Sequence, residues 1–147
     1  MEKTTVRSAA REISYTAMFV AIIAVCAWIA IPLPSNISIT LQTMGVCLAA
    51  GFLGWKRGLI AVAVYILLGL CGVPVFQGFT AGAAKLGSVT GGYIVGFLFT
   101  AAAVGLAADY IKVKSGWLRA AVLVAAMVVG VALCYLFGTI WFIYVYN

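Results

Sequence analysis

The chain has 147 residues, of which 66% are hydrophobic and only 8% are charged, with a mean hydropathy of +1.21. Soluble domains carry about 25% charged residues, so this composition excludes a protein with a fully water-facing surface. The apolar runs are continuous and do not alternate with polar residues, which excludes a transmembrane β-barrel. We therefore predict an all-α integral membrane protein embedded in a lipid bilayer.

The apolar runs predict five transmembrane helices, because a helix needs about 20 mostly apolar residues to cross the hydrocarbon. The predicted spans cover about 14–33, 39–54, 58–73, 90–108 and 118–145. Residues 1–13 then form an N-terminal segment, and 14–147 form a single transmembrane domain. The second and third spans are short for a bilayer, which is typical of tilted or partly re-entrant helices.

The basic residues predict the orientation of these spans. They precede the first span, separate the second from the third, and separate the fourth from the fifth. They are Lys3, Arg7, Arg11, Lys56, Arg57, Lys112, Lys114 and Arg119. Basic residues near the ends of spans favour the cytoplasmic side, so we expect a multi-pass protein of the plasma membrane with a cytoplasmic N-terminus. This pattern accounts for the net charge of +6 and leaves no reason to expect nucleic acid as a partner.

The loop between the third and fourth spans, 75–89, lies on the outer side in this topology and contains Lys85, the ninth cation. The loop is unusually apolar, with two phenylalanines, and it has three glycines that allow the backbone to bend. These features predict a lid that folds back over a ligand. The alternative is an interfacial loop that is anchored by its aromatic residues.

The chain offers few residues for catalysis. It has no histidine, and its three acids, Glu2, Glu12 and Asp109, lie near the predicted inner surface. General acid–base or metal catalysis needs clustered titratable groups, and no Walker-type nucleotide motif is present. We therefore predict a protein that is not an enzyme and has no cofactor. Binding or passive movement of a solute remains, and any energy must come from another protein.

Several motifs in the second to fourth spans resemble those of one family. They are Ile39-Thr40-Leu41-Gln42-Thr43, Lys56-Arg57-Gly58, Tyr65, Gly69-Leu70-Cys71-Gly72-Val73-Pro74-Val75-Phe76, Thr90-Gly91-Gly92-Tyr93 and Gly96-Phe97. In this order and spacing they resemble the BioY family, the biotin-binding S components of energy-coupling-factor vitamin importers. The resemblance runs from roughly residue 14 to residue 143.

This resemblance implies a six-helix bundle that captures biotin from outside. It also implies docking on a transmembrane coupling (T) component that is driven by two ABC-type ATPases. The family's sixth helix has no counterpart among these residues. In the family, an alanine pair on the first span contacts the coupling subunit, and Ala17 and Ala21 stand at that place. The same pair could instead pack against another helix of the bundle.

Biotin combines an apolar bicycle and chain, a ureido group and a carboxylate, so its pocket should be mostly apolar with a few convergent polar groups and one cation. Lys85 is the candidate for the carboxylate. Gln77 or Gln42 could bind the ureido group, because an amide both donates and accepts hydrogen bonds. Further candidates are Phe76, Phe79 and Tyr93 for the ring system and Thr90, whose hydroxyl could equally satisfy a backbone carbonyl.

Two other functions fit the same sequence. One is an S component for a vitamin other than biotin. The other is a small membrane channel or structural subunit without a ligand, although a channel should show a polar stripe through several spans.

Overall fold

The computed structural model of this protein describes residues 2–34, 38–88 and 90–147, with side chains for 5–34, 41–88 and 90–147. In chain order its elements are α1 (Glu2–Trp28), β1 (Ala30–Pro32), β2 (Ser38–Thr40), α2 (Gln42–Leu70), a 3-10 turn (Gln77–Phe79), α3 (Ala83–Leu86), α4 (Gly91–Tyr110) and α5 (Gly116–Tyr146). Within these ranges, α1, α2, α4 and α5 are long and apolar enough to cross a membrane. The predicted all-α membrane fold is confirmed.

Helix α2 covers most of the second and third predicted spans, folded as a hairpin; residues 39–40 belong to β2 instead, and 71–73 follow the end of the helix. Gly54 has φ +84° and ψ 176°, a conformation outside the helical region that side chains rarely adopt. Beyond it the chain reverses, because a Cβ atom on Gly58 would lie only 2.8 Å from Cα of Ala50. In a straight helix these residues would be about 12 Å apart. The arms 42–53 and 55–70 therefore pack side by side.

Helix α4 occupies the middle of the bundle and packs against both α2 and α5, while α1 packs on α2. Small residues allow α4 and α5 to approach closely, as expected between membrane helices. A Cβ atom on Gly96 would lie 2.9 Å from Sγ of Cys134. At the same contact the buried hydroxyl of Thr100 donates to the carbonyl oxygen of Gly130 at 2.9 Å.

The first predicted span has different boundaries in the structure. The prediction ended it at Leu33, but α1 ends at Trp28, and residues 30–32 form β1 instead. Strand β1 pairs antiparallel with β2, with Ala30 opposite Thr40. This pairing gives backbone groups partners that a proline-interrupted helix could not provide. At its other end α1 includes most of the predicted N-terminal segment. Met1 and the middle of the first loop, 35–37, lie outside the described residues.

The bundle has two chemically distinct ends. At one end, Arg57 on α2 binds Glu12 on α1 through an ion pair, and the backbone N–H of Trp55 donates to the carboxylate of Asp109 at 3.0 Å. The link between α4 and α5, with its basic residues, lies at this end, which we call the basic end. The opposite end, the loop end, carries the strands, the 3-10 turn and α3.

Candidate functional site

A buried hydrogen-bond network lies at the loop end and joins both arms of α2 to the loop that follows α2. Nε2 of Gln42 donates to the hydroxyl of Tyr65 at 2.9 Å, and this hydroxyl donates to the carbonyl oxygen of Val75 at 2.8 Å. Gln42 is 5% exposed and Tyr65 is fully buried. A polar group in an apolar interior needs such partners, so Tyr65 fixes the Gln42 amide and the start of the loop together.

The predicted aromatic residues take different positions. Phe76 is buried, and its ring packs edge-on against Tyr65 with the centroids 5.7 Å apart. It fits there because Gly69 has no side chain; a Cβ atom at that position would lie 2.1 Å from Cζ of Phe76. Phe79 is 64% exposed and stacks on Trp28 at the end of α1, with the centroids 4.9 Å apart. Phe76 therefore belongs to the core under the loop, and Phe79 to its surface.

Lys85 lies half-buried on α3, at the end of the bundle opposite the ion pair. Of the two acids whose side chains the structure describes, Glu12 pairs with Arg57 and Asp109 accepts from Trp55. Both contacts are at the basic end, so among the described residues no carboxylate neutralises Lys85. A cation in this position is suited to an anionic group of a ligand.

The polar residues beside Lys85 are tied to α5. The hydroxyl of Ser88 donates to the carbonyl oxygen of Lys85 and lies 3.0 Å from the hydroxyl of Thr90. Nε1 of Trp141 on α5 donates to the carbonyl oxygen of Ser88 at 3.2 Å. Gln77 is half-buried in the 3-10 turn, and its backbone carbonyl oxygen accepts a hydrogen bond from the hydroxyl of Thr80 at 2.7 Å. The Ser88 hydroxyl therefore links the backbone of Lys85 to the hydroxyl of Thr90.

Tyr93 faces α5. Its ring packs edge-on against Tyr135 with the centroids 5.7 Å apart. A Cβ atom on Gly138 would lie 2.4 Å from Cδ1 of Tyr93, which shows how closely the tyrosine ring covers that glycine. The structure therefore gives two groups of predicted residues. Gln42 and Phe76 both contact Tyr65, and Ser88 links the backbone of Lys85 to Thr90. Tyr93 and Phe79 instead contact other helices.

Ala17 and Ala21 line a second feature, an open groove of about 810 Å³ between α1 and the second arm of α2. Both alanines are exposed. The groove extends from the ion pair of Glu12 and Arg57 at the basic end to Trp28 at the loop end. Its walls are almost entirely apolar, and the two alanines lie on this open surface rather than in the packed core.

Three residues that organise the loop end had no role in the sequence-based site. They are Trp28, Tyr65 and Trp141. Tyr65 carries a hydroxyl inside an apolar span, and such a group must find a hydrogen-bond partner within the protein. The sequence therefore already indicated that Tyr65 needs a partner. The hydrogen-bond partners of Trp28 and Trp141 depend on which loop segment reaches each helix end, and the spacing of residues along the sequence does not show this.

Comparisons with known proteins agree with this architecture. The model of the BioY family matches residues 1–147. The biotin transporter BioY of Thermotoga maritima is 41% identical over 128 residues, covering 87% of this chain and 72% of that protein. The probable biotin transporter BioY of Pyrococcus horikoshii is 35% identical, covering 90% of this chain and 74% of that protein.

A solved structure is also similar. The crystal structure of the S-component for biotin from an ECF-type ABC transporter superposes with a TM-score of 0.80 at 32% identity, covering 92% of this chain and 73% of the other. With the family model matched along the whole sequence given, this protein belongs to the BioY family.

Proposed function

We propose that this protein is a membrane-embedded substrate-capture subunit that binds biotin at the loop end of its bundle. The observation that carries the proposal is Lys85, a half-buried cation without a described carboxylate partner, at the end opposite the basic residues. The Gln42–Tyr65 network supplies amide chemistry at the same end. These groups suit a mostly apolar ligand with one carboxylate and one ureido group. Biotin is in this case the transported ligand and not a cofactor.

The proposed orientation puts the N-terminus in the cytoplasm of a cell and the loop end outside its plasma membrane. The described basic side chains on α1, the α2 turn and the α4–α5 link support it, because positive charge near span ends favours the cytoplasmic side. Labelling of a single cysteine at Ala83, an exposed residue of α3, tests this orientation in intact cells. Reaction with a membrane-impermeant maleimide is expected from outside only, in a background without the exposed Cys71.

The role of Lys85 is tested by equilibrium binding of radiolabelled biotin to the purified protein in nanodiscs. A charge-assisted hydrogen bond contributes about 1.5–3 kcal/mol, so Lys85→Ala should raise the Kd for biotin about 10- to 150-fold. Lys85→Arg should retain part of the affinity, and Lys114→Ala, at the basic end, serves as the matched control. Biotin amide, which lacks the carboxylate, should bind the parent and Lys85→Ala equally. An unchanged Kd for biotin in Lys85→Ala would remove Lys85 from the site.

The same assay separates the alternatives. Saturable binding of another vitamin without binding of biotin would assign the protein to a different ligand. Absence of any saturable vitamin binding by the folded protein would favour a channel or structural subunit.

We further propose that the groove at Ala17 and Ala21 docks a transmembrane coupling component, which two ATPases drive. Small, exposed residues on a membrane helix allow a partner helix to approach closely, and a groove this apolar suits such a partner. Ala17→Trp with Ala21→Trp should abolish co-purification with a co-expressed coupling module while biotin binding persists. Ala121→Trp with Ala125→Trp is the matched control, because these alanines are also exposed and four apart but lie on α5. Equal loss of co-purification in both double variants would reject the groove as the specific docking surface.

A further inference from the structure

Trp28 holds the front part of the outer loop against α1. Its Nε1 donates to the carbonyl oxygen of Pro74 at 3.1 Å, and its ring stacks on Phe79 at 4.9 Å with 27° between the ring planes. Trp28 is 38% exposed and Phe79 is 64% exposed. The two rings therefore form a surface contact that stabilises the loop without belonging to the packed core.

The turn that Trp28 holds is conformationally strained. Phe79 has φ +59°, in the left-handed region that an aromatic residue rarely adopts. The turn is closed by the N–H of Phe76, which donates to the carbonyl oxygen of Thr80 at 3.1 Å. Strained residues persist where their surroundings over-determine them, and the stacked Trp28 ring is one of those surroundings. The same turn contains Gln77, a candidate ligand residue.

Trp28 also forms the outer end of the groove. It lines the groove together with Pro74 and Val75, and the same groove contains Ala17 and Ala21. One side chain thus contacts the loop that leads into the candidate biotin site and the surface proposed for docking. A displacement of residues 74–75 must change the shape of the groove at that end.

We propose that Trp28 is a positioning residue that couples the arrangement of the outer loop to the shape of the docking groove. This inference rests on the proposed function and specifies its regulation. Ligand binding rearranges the loop, Trp28 transmits the change to the groove wall, and the coupling module binds with an affinity that depends on the ligand. Such coupling is reciprocal, so the module must change biotin affinity by the same factor.

The test uses a nitroxide label on Leu68→Cys, which lines the groove on α2, in a background with Cys26 and Cys71 replaced by alanine. Biotin should change the spectrum of the labelled parent. In Trp28→Leu the ligand-free spectrum should already differ, and biotin should no longer change it although radiolabelled biotin still binds. Trp28→Phe keeps an aromatic ring but lacks the N–H. Its response to biotin should be intermediate between that of the parent and that of Trp28→Leu. Trp117→Leu, at an 86% exposed residue of α5, should match the parent.

The outcomes separate the two proposals. If the parent binds no biotin, the proposed function fails, and the ligand-free spectra of Trp28→Leu and Trp117→Leu still decide whether Trp28 shapes the groove. If biotin binds but the spectrum of the parent does not change, or Trp28→Leu matches the parent, the coupling role is wrong. A second measurement compares the Kd for biotin with and without the bound coupling module. The ratio of these two Kd values should be at least about threefold smaller in Trp28→Leu than in the parent. An unchanged factor would also overturn the role.

Discussion

Replacement of Tyr65 by phenylalanine tests the buried network at the loop end. The change removes one hydroxyl and therefore two hydrogen bonds, the one from Gln42 Nε2 and the one to the Val75 carbonyl oxygen. Hydrogen bonds within membrane proteins contribute about 0.6 kcal/mol on average and about 1.7 at most. The amide of Gln42, 5% exposed, is left without its partner, which costs about 1–3 kcal/mol. We expect Tyr65→Phe to lower the free energy of unfolding by about 1–3 kcal/mol.

A double-mutant cycle with Gln42→Leu separates the individual bonds. Gln42→Leu alone leaves the bond from Tyr65 to Val75 intact, so it should cost less than Tyr65→Phe. The double variant no longer contains the buried amide. Its loss of unfolding free energy should be smaller than the sum of the two single losses, because the Gln42–Tyr65 hydrogen bond can be lost only once. The assay is equilibrium unfolding in mixed micelles, followed by tryptophan fluorescence. Strict additivity, or a Tyr65→Phe stability equal to that of the parent, would refute the reasoning.

Two further substitutions test the basic end by the same unfolding assay. Gly54→Ala should destabilise the protein by about 1–3 kcal/mol. The backbone of Gly54 has φ +84°, and the new Cβ atom would lie 2.6 Å from Oδ1 of Asp109. A neutral effect on stability would contradict the tight turn at Gly54. Arg57→Gln should change stability by no more than about 1 kcal/mol, since the side chains of Arg57 and Glu12 are both nearly half exposed, and a larger loss would show that the ion pair is a structural requirement.

Much of the fold could be predicted from the distribution of apolar and basic residues. The short second and third spans correspond to the two arms of α2, and the basic pair Lys56 and Arg57 follows the turn between them. The end of α1 was not predictable by the same means. Pro32 and Pro34 do end a helix, but the pairing of 30–32 with 38–40 ends it earlier. That pairing depends on two segments on either side of a loop, whereas hydropathy reports one segment at a time.

The candidate site was predictable to a different extent. Lys85 stands out in sequence because it is separated from the other cations, and the structure places it at the end opposite the ion pair. The direction of each aromatic ring could not be inferred. Phe76 and Phe79 are three residues apart in one loop, yet one is buried on Tyr65 and the other is stacked on Trp28. The difference arises from the gap at Gly69 and the left-handed backbone at Phe79, which are both tertiary properties.

The short arms of α2 have an electrical consequence. The arm 42–53 has twelve residues and rises about 18 Å, while the hydrocarbon is about 30 Å thick. If the Gly54 turn lies at one headgroup layer, Gln42 lies about 12 Å below the other surface. A vitamin anion whose ureido group reaches Gln42 would be held within one ligand length of that depth, where it would experience part of the transmembrane voltage, which changes binding by about 2.3 kcal/mol per charge for a full 100 mV drop. Retention of a negatively charged vitamin should then depend on whether the cell is energised.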